Sequence, residues 1–223
     1  MQSSNPTLLI AAHGTVSAEG SATTAAIAAA VAAARPSVQV SLCFLDVASP
    51  SLTSALDSLA PGPVVVVPLL LSSGYHVLTD IPAIVAGRPS VAMAPHLGPA
   101  PVLADVLAER LAALPGAAAS TALVAIGSTR GEARAEVATM AALLGARIGR
   151  PVTVVPLFGD VRSALAALPL PVADATYLIA EGAFLSGLRA AVAELGVMTE
   201  PFGPDPGLID LVLQRYDEAA AGR

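Results

Sequence analysis

Short apolar runs alternate along the chain with longer stretches that are rich in alanine and leucine. Strands that are buried on both faces have such nearly continuous apolar sequences, so the short runs predict parallel strands. The predicted strands are residues 8–12, 38–44, 64–70, 91–94, 122–126, 152–157, 176–180 and 197–199. The predicted helices are residues 22–34, 51–59, 81–86, 102–111, 132–148, 161–168, 185–195 and 207–219. This alternation predicts an α/β fold with helices on both faces of parallel sheets.

The strand and helix pattern occurs twice. Residues 96–101, HLGPAP, precede a predicted helix, and residues 201–206, PFGPDP, precede another. Proline, glycine and small residues at 115–120 indicate a break between the two copies. We therefore expect two similar four-stranded lobes, residues 1–115 and 120–223, with a ligand cleft between them.

Candidate chemistry lies just beyond three predicted strands. His13 follows the first strand directly, and His76 lies in a glycine-containing turn after the third. In parallel α/β sheets, ligands bind outside the carboxyl ends of the strands, so the two imidazoles predict a metal or proton-handling site. Asp46 follows the second strand and is either a third metal ligand or a turn-forming residue. Asp80, directly before Ile81-Pro82, is predicted to cap the next helix.

The second copy lacks both histidines. Ile126 stands where the first copy has His13, and Phe184 stands where it has His76. The predicted chemistry therefore belongs to the first lobe, and the second lobe is expected to form a wall of the site.

The composition of the chain bears on the cellular location of the protein. The chain of 223 residues is 55% hydrophobic, with a mean hydropathy of +0.73. No apolar run reaches the ~18 residues that a membrane span needs, and no signal-peptide pattern opens the sequence, so we expect a cytoplasmic protein without membrane contact. Cys43 is the single cysteine and is predicted to be a buried hydrophobic residue.

Charge and motifs exclude several classes of partner. The net charge is −6, and the eleven basic residues form no block, which argues against nucleic-acid binding. Neither G-x-G-x-x-G nor the P-loop motif is present, so no nucleotide cofactor is expected. Every basic residue is arginine, which suits the recognition of carboxylates, but a codon-usage bias toward GC would give the same count. Arg88, Arg130 and Arg134 lie in or near predicted loops and are expected to be able to face the cleft.

Three segments carry a family resemblance. These are residues 9–15, LIAAHGT, residues 44–52, FLDVASPSL, and residues 67–82, VPLLLSSGYHVLTDIP. They resemble the class II tetrapyrrole chelatases, and more closely the sirohydrochlorin cobaltochelatase and ferrochelatase branch in its double-lobed form. The resemblance extends over essentially the whole chain.

The resemblance implies insertion of a divalent metal into sirohydrochlorin, in siroheme or cobalamin synthesis, with no cofactor beyond the substrate metal. It implies that His13 and His76 hold the metal and help to remove pyrrole protons. Asp46, where members often carry glutamate, would be the third ligand. Fe²⁺, Co²⁺ and Ni²⁺ all suit such ligands. The double-lobed form leads us to expect a monomer. The alternative is a non-catalytic carrier of tetrapyrrole or metal, and the presence of both histidines favours the enzyme.

Overall fold

The computed structural model describes residues 5–222, apart from the side chains of residues 183 and 184. The chain divides into two compact units. One unit runs to Leu97 and also contains the C-terminal segment from Gly203, and the other is Gly98–Phe202. Each unit contains one four-stranded sheet whose strand pairs are all parallel. This arrangement confirms the predicted α/β class with two four-stranded parallel sheets flanked by helices.

The first sheet has the order β2-β1-β3-β4 and the second has the order β6-β5-β7-β8. The elements up to the end of the first sheet are β1 (Thr7–Ala12), α1 (Ala18–Ala34), β2 (Val40–Phe44), α2 (Leu52–Ser58), β3 (Val64–Leu69), a π-helical turn (His76–Asp80), α3 (Ile81–Val85) and β4 (Val91–Met93). The remaining elements are α4 (Pro101–Ala112), β5 (Ser120–Ala125), α5 (Gly131–Ile148), β6 (Thr153–Pro156), α6 (Val161–Ala166), β7 (Val172–Thr176), α7 (Ala183–Val192), β8 (Gly196–Met198) and α8 (Pro206–Ala221).

Burial on both faces explains the continuous apolar sequence of the central strands. All six residues of β3 are buried, as are five of the six in β1. On one face, alternate residues of β1 and β3 pack against α2 and α3, and α1 and α8 pack together on the other. Cys43 of β2 is fully buried, as predicted, and burial raises the pKa of its thiol to about 12.

Two helices pack on the sheet that does not precede them in the chain. α4 follows β4 but packs against β7 and α5, whereas α8 follows β8 but packs against β3 and α1. In the first unit, the Arg35 guanidinium pairs with the Asp217 carboxylate at 2.9 Å and joins α1 to α8. The division by contacts therefore differs from the predicted boundary at 115–120. Sequential elements usually pack together, so a linear reading assigns both helices to the wrong sheet.

One predicted strand, residues 176–180, is wrong. The structure places β7 at Val172–Thr176, which shares a single residue with that prediction. A carboxylate in mid-strand hides the true strand, because Asp174 interrupts its apolar run. The other predicted strands and helices overlap the observed elements. Within the described residues, no helix has both the length and the apolar character needed to cross a membrane.

Asp174 is a buried carboxyl group in the core of the second unit. Its residue exposure is 0%, and the Thr176 hydroxyl donates to Oδ2 at 3.5 Å. Oδ1 has no hydrogen-bond partner among the residues that the structure describes. Burial disfavours the charged form and raises the pKa of this carboxyl to about 8. The group is therefore largely protonated at neutral pH.

Asp174→Asn should make the stability of the second unit less dependent on pH. The native carboxyl, with its raised pKa, keeps a proton that the unfolded chain loses above about pH 4, so wild-type stability falls as the pH rises towards about 8. Relative to the variant, the wild-type free energy of unfolding should fall by up to roughly 1.4 kcal/mol per pH unit in this window. Urea unfolding at stepped pH measures this difference. Parallel curves for the two proteins would contradict a raised pKa.

Candidate metal centre

The hydrogen bonds between β1 and β2 continue beyond the ends of both strands. The Leu45 amide donates to the Ala12 carbonyl at 2.9 Å, and the Asp46 amide donates to the His13 carbonyl at 2.8 Å. These two bonds lie past Ala12 and Phe44, the last residues paired in the sheet, and they bring the His13 loop against the Asp46 loop.

Gly14 permits the close approach of these two loops. Its φ is +98°, and a Cβ at this position would lie 2.0 Å from the Asp46 carbonyl oxygen. Such a contact is impossible without moving the backbone, and an L side chain is also strained at this φ. Glycine after His13 is therefore a requirement of the loop pair.

Asp46 also shapes the turn in which it lies. Its Oδ1 accepts from the Val47 amide at 2.8 Å, and Val47 has a positive φ of 47°. The turn-forming interpretation from the sequence is thus correct for one oxygen. A carboxylate has a second oxygen that can bind a metal, so the turn and ligand interpretations are compatible.

His76 reaches the same place from β3. The connection after β1 leads to β2 on one side, and the connection after β3 leads to β4 on the other. Such a reversal opens a crevice at the carboxyl ends of the two central strands. The π-helical turn that begins at His76 lies in this connection.

The three side chains come together as a possible ligand set. One ligand atom from each of His13, Asp46 and His76 lies within 4.8 Å of the other two. The two imidazole rings have centroids 5.0 Å apart and planes at 85°. Ligands bound to one ion at about 2.1 Å can be up to roughly 4.2 Å apart, so small side-chain movements suffice for all three to bind one metal.

Both imidazoles have a hydrogen-bonding acceptor at Nδ1. For His13 the acceptor is the Gly14 carbonyl at 3.2 Å, and for His76 it is an Asp80 carboxylate oxygen at 2.6 Å. Neither acceptor can donate, so a neutral imidazole in either position would carry its proton on Nδ1 and its lone pair on Nε2. Because His13 and Asp46 are also exposed, the set is open to an entering ion.

Asp80 is the residue of this region whose role the sequence interpretation missed. It was predicted to cap a helix, but it has helical backbone angles and its side chain makes no capping hydrogen bond. Its carboxylate instead contacts His76, four residues earlier. The spacing of four between a histidine and an acid was a signal that could have indicated this contact.

Exposed apolar side chains lie close to the ligand residues along the chain. In the described part of the first unit, the large hydrophobic side chains that are exposed are Val16, Val47, Tyr75 and Leu78. Val16 is 92% exposed and Tyr75 is 56% exposed, and each of the four lies within three positions of a ligand residue. We call these four residues the apolar rim. A cluster of exposed apolar groups marks a surface for binding an apolar partner.

The second unit has the same loop structure without the ligands. Leu157 donates to the Ala125 carbonyl at 2.8 Å, as Leu45 does to Ala12. This correspondence places Ile126 at the position of His13 and Phe158 at the position of Asp46. Both side chains are exposed and apolar. Among the described residues, the group that could hold a metal lies in the first unit.

The three candidate arginines belong to different units. Arg88 pairs with Asp57 at 2.7 Å and precedes β4, at the amino ends of the strands. It is therefore on the opposite edge of the first sheet from the ligand set, and the expectation that it faces the site is wrong. Arg130 and Arg134 follow β5 in the second unit, and Arg134 donates to the Thr129 carbonyl at 2.8 Å.

Comparison with protein families finds a match in the first half of the chain. The family model described as CbiX matches residues 7–114, which include all three ligand residues and the apolar rim. No curated protein sequence matches the chain.

Solved structures with this fold match nearly the whole chain. The sirohydrochlorin chelatase SirB from Bacillus subtilis subspecies spizizenii, in complex with cobalt, has a TM-score of 0.83 at 19% identity, covering 98% of this chain and 96% of that one. SirB from Bacillus subtilis with Fe³⁺ has a TM-score of 0.81 at 20% identity and the same coverages. CbiX, the terminal enzyme for siroheme biosynthesis in denitrifying bacteria, has a TM-score of 0.72 at 24% identity, covering 96% and 99%. These likenesses establish the fold.

Gly14→Ala should weaken metal binding by separating His13 from Asp46. The methyl group would displace the Asp46 carbonyl and strain the backbone, at a cost of roughly 1–3 kcal/mol in stability. Co²⁺ affinity, measured by calorimetry, should fall at least about tenfold if one of the three ligands is lost. Gly87→Ala is the control, because a Cβ there meets nothing within 4 Å. Equal affinities for both variants would show that the loop contact does not position the ligands.

Proposed function

We propose that the chain, whose residues 7–114 match the CbiX family model, is a class II chelatase that inserts a divalent metal ion into sirohydrochlorin. The observation that carries the proposal is the combination of an open ligand set, His13, Asp46 and His76, with the apolar rim close to it along the chain. A metal-storage site needs the first feature only. A site that transfers metal to a large, flat organic molecule needs both.

The ligand set suits temporary binding of the metal substrate. Two imidazoles and one carboxylate are acceptable to Fe²⁺, Co²⁺ and Ni²⁺. A structural metal site uses four protein ligands and is closed, whereas three exposed or half-buried ligands leave positions for water and for the acceptor. The metal can then pass to the macrocycle as the pyrrole nitrogens replace the protein ligands.

The same imidazoles can accept the protons that insertion releases. Each turnover replaces two N–H protons of the macrocycle with one divalent ion, so the site must remove two protons. In the neutral tautomer that donates from Nδ1 to the Gly14 carbonyl or the Asp80 carboxylate, Nε2 of His13 and of His76 has a free lone pair. As the metal leaves an imidazole, that nitrogen becomes available as a general base.

The apolar rim provides contact area for the faces of the macrocycle. Stacking on aromatic and aliphatic side chains would remove exposed apolar surface from water, at about 25 cal/mol per Å². The peripheral carboxylates of sirohydrochlorin need cationic partners, and the role of Arg130 and Arg134 stays a prediction from the sequence. A cytoplasmic location and a monomeric state remain predictions.

The choice of metal is part of the proposal. We favour Fe²⁺ or Co²⁺, in siroheme or cobalamin synthesis respectively, because two SirB structures with this fold hold cobalt and Fe³⁺. Anaerobic insertion rates with Fe²⁺, Co²⁺ and Ni²⁺ at matched free-ion concentrations would rank the three metals.

Replacing His13 and His76 together by alanine should abolish catalysis. The double variant loses two ligands and both proposed bases, so the insertion rate should fall at least about 100-fold, to the spontaneous background. The assay follows the absorbance of sirohydrochlorin with Co²⁺ under anaerobic conditions. His96→Ala is the matched control, because His96 lies in the loop after β4 and outside the ligand set.

Two results would contradict the catalytic proposal. One is a wild-type rate no greater than the spontaneous rate, which together with tight sirohydrochlorin or metal binding would favour the carrier alternative. The other is a double variant that is as fast as the wild type.

Removing the apolar rim should weaken substrate binding without affecting metal binding. Val16→Ser together with Tyr75→Ser removes apolar contact area, so KM for sirohydrochlorin should rise about tenfold while Co²⁺ affinity is unchanged. The control is Leu170→Ser, which removes an exposed leucine outside the rim. Leu170 lies in the loop that leads into β7. An unchanged KM in the double variant would show that the macrocycle does not lie on the rim.

A further inference from the structure

We infer that Asp80 is the positioning residue for His76: its carboxylate holds the proton on Nδ1 of His76 and so presents Nε2 to the incoming metal. The inferred effect of Asp80 on the protonated nitrogen of His76 depends only on contacts within the first unit. Its consequence for metal insertion rests on the proposed function.

The contact between the two side chains is close and partly shielded from water. Nδ1 of His76 lies 2.6 Å from Oδ2 of Asp80, and the two side chains are 20% and 31% exposed. Hydrogen bonds with a charged acceptor are shorter and stronger than neutral ones. The hydrogen bond at one ring nitrogen determines which nitrogen carries the proton and fixes the orientation of the ring.

The backbone between the two residues is a π-helical turn. The Ile81 amide donates to the carbonyl of His76, five residues earlier. Pro82 comes next, and its ring would collide with the carbonyl four residues earlier in a regular α-helix. The wider turn relieves this collision. Single π turns within helices occur frequently at functional sites.

The second unit shows what the same segment does without a metal site. Leu97 donates to Leu70 at 2.9 Å, and Phe202 donates to Leu178 at 2.8 Å, so Leu70 and Leu178 are equivalent. Counting from them, the equivalents of the histidine and the acid are Phe184 and Leu188. The segment that contains both is the regular helix α7.

This comparison separates the fold from the function. In the second unit a regular α-helix occupies this position of the fold. In the first unit, which holds the ligand set, the histidine, the acid and the π turn occur together. The π turn therefore goes with Pro82, whose equivalent in the second unit is Ala190, and the shared scaffold does not require it.

Two other roles for Asp80 fit the contacts less well. It makes no capping hydrogen bond, so it does not stabilise the start of α3 in that way. It is also outside the set of atoms that could hold one ion. Its contact is with Nδ1 of His76, which leaves Nε2 for the metal in the proposed arrangement.

The tautomer of His76 can be measured directly. In protein labelled with ¹⁵N-histidine, long-range ¹H–¹⁵N correlation spectra distinguish a protonated Nδ1 from a protonated Nε2. The spectra are recorded at about pH 8, above the ordinary pKa of imidazole, and His76→Ala assigns the signals. We expect the wild type to show the Nδ1–H form and Asp80→Ala to show a mixture or the Nε2–H form, with the His13 signals unchanged.

Metal binding supplies the second readout. Loss of a partner of a ligating histidine typically lowers metal affinity about 10- to 100-fold, so Co²⁺ affinity of Asp80→Ala should fall within that range. Asp80→Asn keeps a neutral acceptor and should keep the tautomer with a smaller loss of affinity. Asp57→Ala, which removes an ion-paired acid elsewhere in the first unit, is the matched control.

The inference is overturned if Asp80→Ala keeps the Nδ1–H form and binds Co²⁺ within about twofold of the wild type. If that variant does not fold, a wild-type Co²⁺ affinity in folded Asp80→Asn overturns it equally. Because neither readout uses sirohydrochlorin, failure of the chelatase proposal would leave these results interpretable.

Discussion

The candidate site depends on two hydrogen bonds that extend the β1–β2 ladder beyond the ends of its strands. They fix the His13 loop against the Asp46 loop, and the approach is so close that the residue after His13 must be glycine. Burial of the apolar strands fixes where this edge of the sheet lies. The two hydrogen bonds beyond the strand ends then hold the His13 loop beside the Asp46 loop. His76 completes the set because β1 and β3 are adjacent and their connections diverge.

The two units show which features belong to the fold and which belong to the site. Both have a glycine with positive φ after the first strand and a matching ladder extension, so these are properties of the scaffold. The ligands, Asp80 and the π turn are found in the first unit. The second unit keeps the loops and presents Ile126 and Phe158 at the positions of His13 and Asp46. The two copies thus share the strands and their loops, whereas the candidate metal ligands are in the first copy.

Sequence patterns predicted the parts of the molecule that arise from local rules. Continuous apolar strands and alternating helices were sufficient for the fold class, and strand-end siting singled out His13, Asp46 and His76. Three features escaped because they depend on tertiary context. The first is β7, which was not predicted because the acidic residue Asp174 interrupts its apolar sequence. The carboxyl of Asp174 can be buried there because its raised pKa keeps it protonated. The packing of α4 and α8 and the partnership of Asp80 with His76 likewise require knowledge of what lies opposite each element.

The central claim is that His13, Asp46 and His76 bind one metal ion together in an open site. X-ray absorption spectroscopy of the Co²⁺-loaded protein tests it most directly, because multiple scattering from imidazole rings gives the number of histidine ligands. The account predicts two imidazoles per cobalt, with the remaining ligands oxygen atoms from carboxylate and water, and one imidazole in His13→Ala. A wild-type spectrum with one imidazole or none would contradict it.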